Sequence, residues 1–271
     1  MSNKNVIDAI ILSTTYKEDI LDIIEFLKSI CDECESIKND YIVHPVLVFE
    51  KSENFKFMKV KKFFKDRYNL INPIILKNNN GVGFSSSLNY GIIKTNSKWI
   101  LRIDTDDKLK DSRILNQLNL MKKGNLDMSS GYMEDQNGNI LKYPKDKIGL
   151  ILNIALGINP IAHPSVCFKR SSLTSLYNTK LSRCEDFELW IHMFLKRDFR
   201  WECIDYPITI YNNERSKIKN KENGRMQIQI RLKYGFQFFL IGIILLLGIV
   251  PNLLRLCIDN NFLLSIRRKL K

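Results

Sequence analysis

Apolar runs and amphipathic repeats alternate over roughly the first 110 residues of this 271-residue chain. A short apolar run bounded by polar residues is typical of a buried parallel strand, whereas apolar residues three and four apart are typical of a helix. The strand candidates are residues 6–12, 44–49, 73–76 and 98–103. The helix candidates between them are residues 18–30, 55–64 and 85–93. This alternation predicts an α/β fold, in which helices flank a mainly parallel sheet.

The second half of the chain carries shorter and more mixed patterns. The predicted elements are strands at 128–133, 140–143, 163–168 and 200–211 and a helix at 185–195. An Asn137-Gly138 pair between the first two of these strands predicts a hairpin turn. The polar and charged stretch 212–224 is predicted to be a mobile loop.

Three aspartates, Asp104, Asp106 and Asp107, follow the fourth predicted strand. In an extended segment alternate side chains share a face, so Asp104 and Asp106 are expected to converge. Converging carboxylates repel one another unless a cation or a proton lies between them, and hard oxygen ligands suit Mg²⁺ or Mn²⁺. The alternative is a solvated acidic turn before a helix that Asp111 or Ser112 caps and that runs to Met121.

A loop rich in asparagine and glycine, residues 78–83, precedes the third predicted helix. Glycine lets the backbone approach a ligand closely, and the N-terminus of a helix favours an anion. The alternative is an ordinary turn. Because ligands bind beyond the carboxyl ends of parallel strands, this loop and the clusters 13–16, 50–52 and 104–107 are candidate binding segments.

Together these segments resemble the glycosyltransferases of family 2 with the GT-A fold, over roughly residues 6 to 211. Five segments resemble motifs of that family and occur in the same order. They are the turn 13–16 after the first strand, the glycine loop with the helix behind it, the D-x-D string 104–106, the segment 163–166 and the Glu185-Asp186 pair. The resemblance implies nucleotide-sugar binding by Thr14, Thr15, Tyr16, Glu50, Gly81, Gly83, Asn89 and Asp104.

The same resemblance implies a metal-dependent active site. Asp106 would hold Mn²⁺ or Mg²⁺, with Asp104 or Asp107 in support. Asp186 is the expected general base and Glu185 the second candidate, although a Glu-Asp pair alone is also favoured by the dipole at a helix N-terminus. The residues expected at the acceptor or at a phosphate are His163, Trp190 and Arg215, with a structural role for His163 equally open.

Two positions depart from the family pattern. Phe49-Glu50-Lys51-Ser52 stands where the family usually has Asp-Asp-Gly-Ser, which puts the ribose or base contact of Glu50 in doubt. His192 stands where the family often has arginine, and a helix-surface or partly buried histidine is the favoured interpretation.

The implied reaction is the inverting transfer of a hexose from a UDP-sugar, with UDP-Gal or UDP-Glc favoured. The resemblance to bacterial O-antigen and capsule enzymes implies a lipid-linked acceptor of the GlcNAc-diphosphoundecaprenol type and a β-linkage. Two other classes are weighed: a nucleotidyltransferase on a similar fold, whose glycine-rich basic signature is missing after the first strand, and a non-catalytic basic membrane-binding protein.

The formal net charge of +13 indicates an anionic partner. No nucleic-acid-binding module is recognisable, so anionic lipid and a phosphorylated substrate are the expected partners.

The apolar run 236–250 would measure about 22 Å as a helix, less than the ~30 Å hydrocarbon core, and Pro251-Asn252 is expected to interrupt it. Basic residues flank both of its ends. The prediction is a catalytic domain of residues 1–224, followed by a membrane-associating segment of residues 225–271. That segment is expected to lie in or re-enter the cytoplasmic face of a bacterial inner membrane, making the protein peripheral or monotopic. A spanning helix and a buried core helix are the alternatives.

The six cysteines include one C-x-x-C pair, Cys31 and Cys34. With no second pair and no histidine pair beside it, reduced thiols are expected rather than a zinc site.

Overall fold

A computed structural model describes residues 7–15, 18–67, 71, 73–194, 198–212, 220–237, 243 and 246–257. Its strands are β1 (Ile7–Thr14), β2 (Val43–Glu50), β3 (Ile74–Asn78), β4 (Ser97–Arg102), β5 (Lys108–Leu109), β6 (Met128–Asp135), β7 (Ile140–Leu141), β8 (Cys167–Lys169) and β9 (Trp201–Tyr211). Its α-helices are α1 (Ile20–Ser36), α2 (Asn54–Arg67), α3 (Phe84–Lys94), α4 (Arg113–Lys123), α5 (Lys147–Ala155), α6 (Glu185–Phe194), α7 (Asn220–Gln237) and α8 (Ile249–Cys257).

The strands of the described ranges form one sheet in the order β3-β2-β1-β4-β8-β6-β9-β5, with β7 paired to β6. The first four are parallel, and β8 runs antiparallel between β4 and β6. In the sheet, β2 and β3 lie in turn on one side of β1, whereas β4, the next strand along the chain, lies on the other side of β1. This reversal leaves a crevice beyond the carboxyl ends of β1 and β4, where open α/β sheets bind ligands. The mixed, mainly parallel sheet predicted from the sequence is confirmed.

Each face of the sheet carries its own apolar core. Alternation along β1 sends Ala9 and Ile11 to one face and Ile10 and Leu12 to the other. The first face packs against α1, α2 and α4, and the second against α3, α5, α6 and α7. Cys31 and Cys34 are buried in the first core, where burial raises the pKa of Cys31 to about 12.

The strand predicted at 163–168 is wrong over its first half. His163–Ser165 is a 3-10 turn, and only Cys167–Lys169 pairs in the sheet. Pro164 lacks the N–H that a ladder requires, which explains the late start of the strand. The cap predicted for α4 falls on Ser112, which occupies the cap position in a left-handed conformation without a side-chain cap hydrogen bond.

The C-terminal part of the chain differs from the prediction in two ways. Residues 220–224 are the first turn of α7 and not part of a mobile loop, and α7 runs without a break through the domain boundary expected between 224 and 225. Pro251-Asn252 does not interrupt a helix. It lies within α8, close to its N-terminus, where a proline needs no N–H partner. The turn comes before it, at Gly248.

Residues 238–242, 244 and 245, about half of the apolar run 236–250, lie outside the described residues. Within the described part of the chain, no helix is both long enough and apolar enough to cross a membrane.

Helix α7 is joined to α6 through a buried carboxylate, Glu188. Lys233 Nζ and Tyr234 Oη donate to Glu188 Oε1 at 3.0 and 2.8 Å. Burial alone would raise the pKa of Glu188, but these hydrogen bonds outweigh it and the pKa is lowered. Tyr234 Oη also lies 2.8 Å from His192 Nε2, so His192 is a partly buried contact between the two helices.

The lowered pKa of Glu188 predicts a pH-dependent contribution to stability. A carboxyl group with a depressed folded-state pKa stabilises fully above its unfolded pKa of about 4.3 and loses that contribution as the pH falls through the folded value. We expect Glu188→Gln to lower the free energy of unfolding by about 1 kcal/mol at pH 7, and by less as the pH approaches 3. Urea unfolding at several pH values measures the difference. The exposed Glu202→Gln is the matched control, and a pH-independent loss in Glu188→Gln would contradict the account.

Candidate active site

A cavity of about 360 Å³ lies in the crevice beyond β1 and β4. Its lining includes Thr14 at the end of β1, Phe84 at the start of α3, Asp104 and Asp106 after β4, and Glu185 at the start of α6. A wider, acidic cavity of about 870 Å³ adjoins it along α1 and shares Asp106 with it. The structure therefore brings together three of the segments singled out from the sequence.

Asp104 is held in place by Arg102, an arginine that lies completely buried at the end of β4. Arg102 Nη2 donates to Asp104 Oδ1 in a very short ion pair, and Nη1 donates to the carbonyl oxygens of Leu12 and Ile103. The guanidinium also lies over the ring of Phe84, 5.1 Å from its centre. One buried charge thus connects β1, the aspartate turn and the start of α3.

A second buried arginine supports the first. Arg113 Nη2 donates to the carbonyl of Arg102 at 2.8 Å, and Nη1 donates to Thr209 Oγ1 at 2.7 Å. Sequence reasoning missed both arginines. Arg102 gave the better signal, since it interrupts the apolar run of β4 next to the aspartates.

Asp107 is the most deeply buried of the three aspartates. Its Oδ1 accepts the N–H of Asn212 at 3.0 Å, while its buried Oδ2 has no hydrogen-bond partner among the described residues. Burial, followed by the charge of Asp104, raises the pKa of Asp107 to about 8. A buried carboxylate oxygen without a partner is costly unless a proton or a cation satisfies it.

The aspartate turn offers hard oxygen donors of the type that Mg²⁺ and Mn²⁺ prefer. Asp106 borders both cavities, and the buried Oδ2 of Asp107 has no hydrogen-bond partner among the described residues. Asp104, in contrast, is already paired with Arg102. No group of three His, Cys, Asp or Glu side chains in the described part of the chain is arranged to hold a metal by itself. The residues fit a metal that takes part of its coordination from a bound ligand.

Glu50, expected at a ribose or base, instead anchors the glycine loop. Its Oε1 accepts the N–H of Gly83 at 2.9 Å, and Gly83 has the φ of +95° that glycine tolerates. At Gly81 an added Cβ would lie 2.0 Å from Ser86 Oγ, so the loop packs closely on α3. Thr15 Oγ1 donates to Glu53 in a very short bond. Thr14 Oγ1 is buried without a partner among the described residues.

The side chains of Asn89 and Trp190 make contacts inside the protein. The amide of Asn89 is paired with the backbone of Tyr177, donating to its carbonyl at 2.8 Å and accepting its N–H at 2.9 Å. Trp190 is fully buried, so the acceptor contact expected of its side chain is not available in this conformation. A helical tryptophan faces the core here because the apolar face of α6 packs against the sheet.

His163 lies in an aromatic cage formed by Phe84, Tyr177 and Trp190. Its Nε2 is 2.8 Å from Tyr177 Oη. Burial, and then the charge of Arg102, holds the pKa of His163 well below its usual range, so the ring is neutral. The structural role weighed from the sequence fits this position.

Glu185 and Asp186 begin α6, after Cys184 in the left-handed region at φ 59°. Glu185 lines the smaller cavity, and burial together with the charge of Asp186 raises its pKa to about 7. Asp186 Oδ2 accepts from Asn159 Nδ2 at 2.6 Å. Burial raises the pKa of Asp186, against hydrogen bonds from Phe187 N–H and Asn159 that lower it. Asn159 is a further site residue that sequence reasoning missed.

The remaining predicted site residues, Tyr16 and Arg215, lie outside the described residues.

A family model described as Glycosyl transferase family 2 matches residues 11–168 of this chain. An uncharacterized glycosyltransferase of Methanocaldococcus jannaschii is 27% identical over 198 residues, which cover 70% of this chain and 66% of that protein. The chain thus spans slightly less than two thirds of this relative.

Two solved structures share the fold at low sequence identity. S. aureus TarS 1-349 in complex with UDP-GlcNAc superposes with a TM-score of 0.60 and 15% identity, covering 83% of this chain and 66% of that one. The mannosyltransferase PcManGT from Pyrobaculum calidifontis, in complex with GDP-Man and Mn²⁺, superposes with a TM-score of 0.65 and 14% identity, covering 93% and 73%.

The contact between Glu50 and Gly83 predicts a measurable effect on the glycine loop. Glu50→Ala removes a charge-assisted hydrogen bond to a backbone N–H, and such bonds contribute about 1.5–3 kcal/mol. We expect hydrogen exchange of the Gly83 amide to accelerate by about tenfold or more. Glu35→Ala, near the C-terminal end of α1, is the control. Unchanged exchange at Gly83 in Glu50→Ala would show that the loop does not depend on this contact.

Proposed function

Since this chain belongs to glycosyl transferase family 2, we propose that it is an inverting hexosyltransferase that moves a sugar from a UDP-sugar to a lipid-linked saccharide. Family membership favours sugar transfer over the nucleotidyltransferase and the non-catalytic membrane-binding protein weighed from the sequence. The single observation that carries the proposal is the position of Asp104, Asp106 and Glu185 around one cavity beyond β1 and β4.

The donor is proposed to bind with its diphosphate near the aspartate turn. Support comes from the UDP-GlcNAc in the TarS structure and the GDP-Man and Mn²⁺ in the PcManGT structure, both on a similar fold. Among UDP-sugars, UDP-Gal and UDP-Glc remain favoured from the resemblance to surface-polysaccharide enzymes. The glycine loop, which Glu50 holds against β2, is proposed to approach the nucleotide with its backbone.

Asp106 is proposed as the main ligand of a divalent metal, with Asp107 or Asp104 in support. Such a metal, when bound, offsets the negative charge that builds on the departing diphosphate. Arg102 acts as a positioning residue for Asp104, because it fixes that carboxylate from behind, away from solvent.

Asp186 is proposed to take the proton from the acceptor hydroxyl. The acceptor oxygen then forms a bond to the anomeric carbon as the bond from that carbon to the diphosphate breaks, which inverts the configuration and yields a β-linkage from an α-linked donor. Asn159 supports this role, because its amide fixes the orientation of the carboxylate and favours the charged form that a base requires. Glu185, which borders the cavity, is the competing base.

The acceptor is proposed to be of the GlcNAc-diphosphoundecaprenol type, in O-antigen or other surface-polysaccharide synthesis at the cytoplasmic face of an inner membrane. The net charge of +13 supports an anionic lipid surface as a partner.

The reaction is tested by transfer from UDP-Gal, UDP-Glc, UDP-GlcNAc and GDP-Man to a synthetic GlcNAc-diphospho-lipid. We expect transfer from one UDP-hexose with Mn²⁺ and its loss with EDTA. NMR of the product should show a β-linkage. Transfer that persists in EDTA would contradict the proposed requirement for a divalent metal, and an α-linked product would contradict single displacement.

The identity of the base is tested by comparing Asp186→Asn with Glu185→Gln. If Asp186 is the base, Asp186→Asn should lower kcat by about 10²-fold or more, while Glu185→Gln has a smaller effect. The reverse order would transfer the role to Glu185.

Asn159→Ala gives an independent test through the pH profile. Loss of the amide raises the pKa of Asp186, so the acidic limb of kcat/KM should move to higher pH, since the base acts only when deprotonated. Asn119→Ala, whose side chain contacts Tyr41 away from the cavity, should leave the profile unchanged. An unshifted limb in Asn159→Ala would contradict the role of Asp186.

A further inference from the structure

We propose that helix α5 and the start of α8 form one apolar face that docks on an anionic lipid bilayer, beside the helix that carries the catalytic carboxylates. The inference rests on the proposed function, since it places the bilayer at the acceptor side of the site. It extends the expected membrane-associating segment to residues 147–156, which lie far from the C-terminus.

Helix α5 exposes an unusually apolar surface. Leu150 and Ile154 face the core, while Ile148, Ile151, Leu152 and Leu156 are 72, 41, 55 and 53% exposed. Single exposed apolar residues are ordinary on a protein surface, but a contiguous group of large aliphatic side chains marks an interaction site.

Leu247, just before α8, and the first turns of α8 expose a second apolar strip. Leu247, Val250 and Leu253 are 57, 58 and 48% exposed, while Gly248 and Asn252 face inward. Asn252 Nδ2 donates to the Gly248 carbonyl at 2.8 Å, which fixes the turn into the helix.

The two strips adjoin each other. Arg231 Nη1 of α7 donates to the Ile154 carbonyl at 2.7 Å, and a Cβ added at Gly248 would lie 2.5 Å from the same oxygen. A Cβ added at Gly157 would lie 2.9 Å from the Gly248 carbonyl oxygen, and Leu156 and Leu247 directly precede these two glycines. The exposed side chains of α5 therefore lie next to those around the start of α8.

Charge favours an anionic lipid surface as the occupant. Neither residues 147–158 nor residues 223–257 contain an aspartate or a glutamate. Lys147 and Arg225 are exposed on α5 and α7, while the exposed Lys233 is paired with Glu188. Large aliphatic side chains with basic residues and no acidic ones match the boundary between acyl chains and anionic headgroups.

The proposed face is connected to the catalytic carboxylates at short range. The chain leaves α5 and reaches Asn159, whose amide holds Asp186. On the other side, the guanidinium of Arg231 lies 4.6 Å from the ring centre of Phe187, in the first turn of α6. A lipid-linked sugar held in the bilayer would therefore meet the site from the α5 side.

The test is co-sedimentation of the full chain, without donor or acceptor, with vesicles of phosphatidylglycerol and phosphatidylcholine. We expect Leu152→Glu and Leu247→Glu each to weaken binding about tenfold or more, since each removes one large apolar side chain from the interface and adds a negative charge. Leu21→Glu, on α1, is the matched control because Leu21 is 74% exposed, and it should bind as the wild type does. Unfolding curves of all three variants should match that of the wild type.

Wild-type binding that Leu152→Glu leaves unchanged would overturn the role of α5, even if Leu247→Glu weakened binding. Equal losses in all three variants would also overturn it. If ultracentrifugation showed a dimer that Leu152→Glu dissociates, and no vesicle binding, the face would belong to a second copy of the chain. Transfer to a short-chain, water-soluble acceptor separates this inference from the proposed function: it should persist in Leu152→Glu, and its absence in the wild type would count against the enzyme proposal alone.

Discussion

The buried guanidinium of Arg102 is the interaction on which the site depends most. It lies at the carboxyl end of β4 and connects the carbonyl of Leu12 in β1, the carboxylate of Asp104 and the ring of Phe84 at the start of α3. The guanidinium is completely buried, and its Nη1 and Nη2 are paired, whereas its Nε has no hydrogen-bond partner among the described residues. Removing one partner from a buried ion pair costs about 3–5 kcal/mol. The pairing therefore fixes the aspartate turn relative to both β1 and the glycine loop. Arg113 extends the same support to β9 through Thr209.

A second set of contacts determines where the catalytic helix lies. Helix α6 packs on the sheet through its apolar face. Asn159, in the segment after α5, contacts its Asp186, and Lys233 and Tyr234 of α7 contact its Glu188. The C-terminal helices are thus part of the framework of the site and not an appendage to it. This arrangement explains why α7 continues through residue 224: Ile230 and Tyr234 complete the core on that face of the sheet.

The sequence was informative where local pattern decides the structure. The four parallel strands follow from apolar runs, and the position of Asp104 and Asp106 follows from the rule that ligands gather at the ends of such strands. The residues whose partners lie far away in the chain were not predictable in the same way. Asn89 pairs with Tyr177, 88 positions later, and Arg231 with Ile154, 77 positions earlier. A polar residue of this kind looks like a ligand-binding or surface residue until its partner is known. Trp190 was placed at the acceptor by analogy alone, whereas the amphipathic pattern of α6 places it in the core.

The central claim is that the crevice beyond β1 and β4 binds a nucleoside diphosphate next to Asp106. Isothermal titration calorimetry of UDP, with and without Mn²⁺, tests it most directly when wild type is compared with Asp106→Asn. The account predicts binding that Mn²⁺ strengthens in the wild type and a loss of that metal dependence in Asp106→Asn. Equal UDP binding by both proteins, or metal-dependent binding that Asp106→Asn leaves intact, would contradict it.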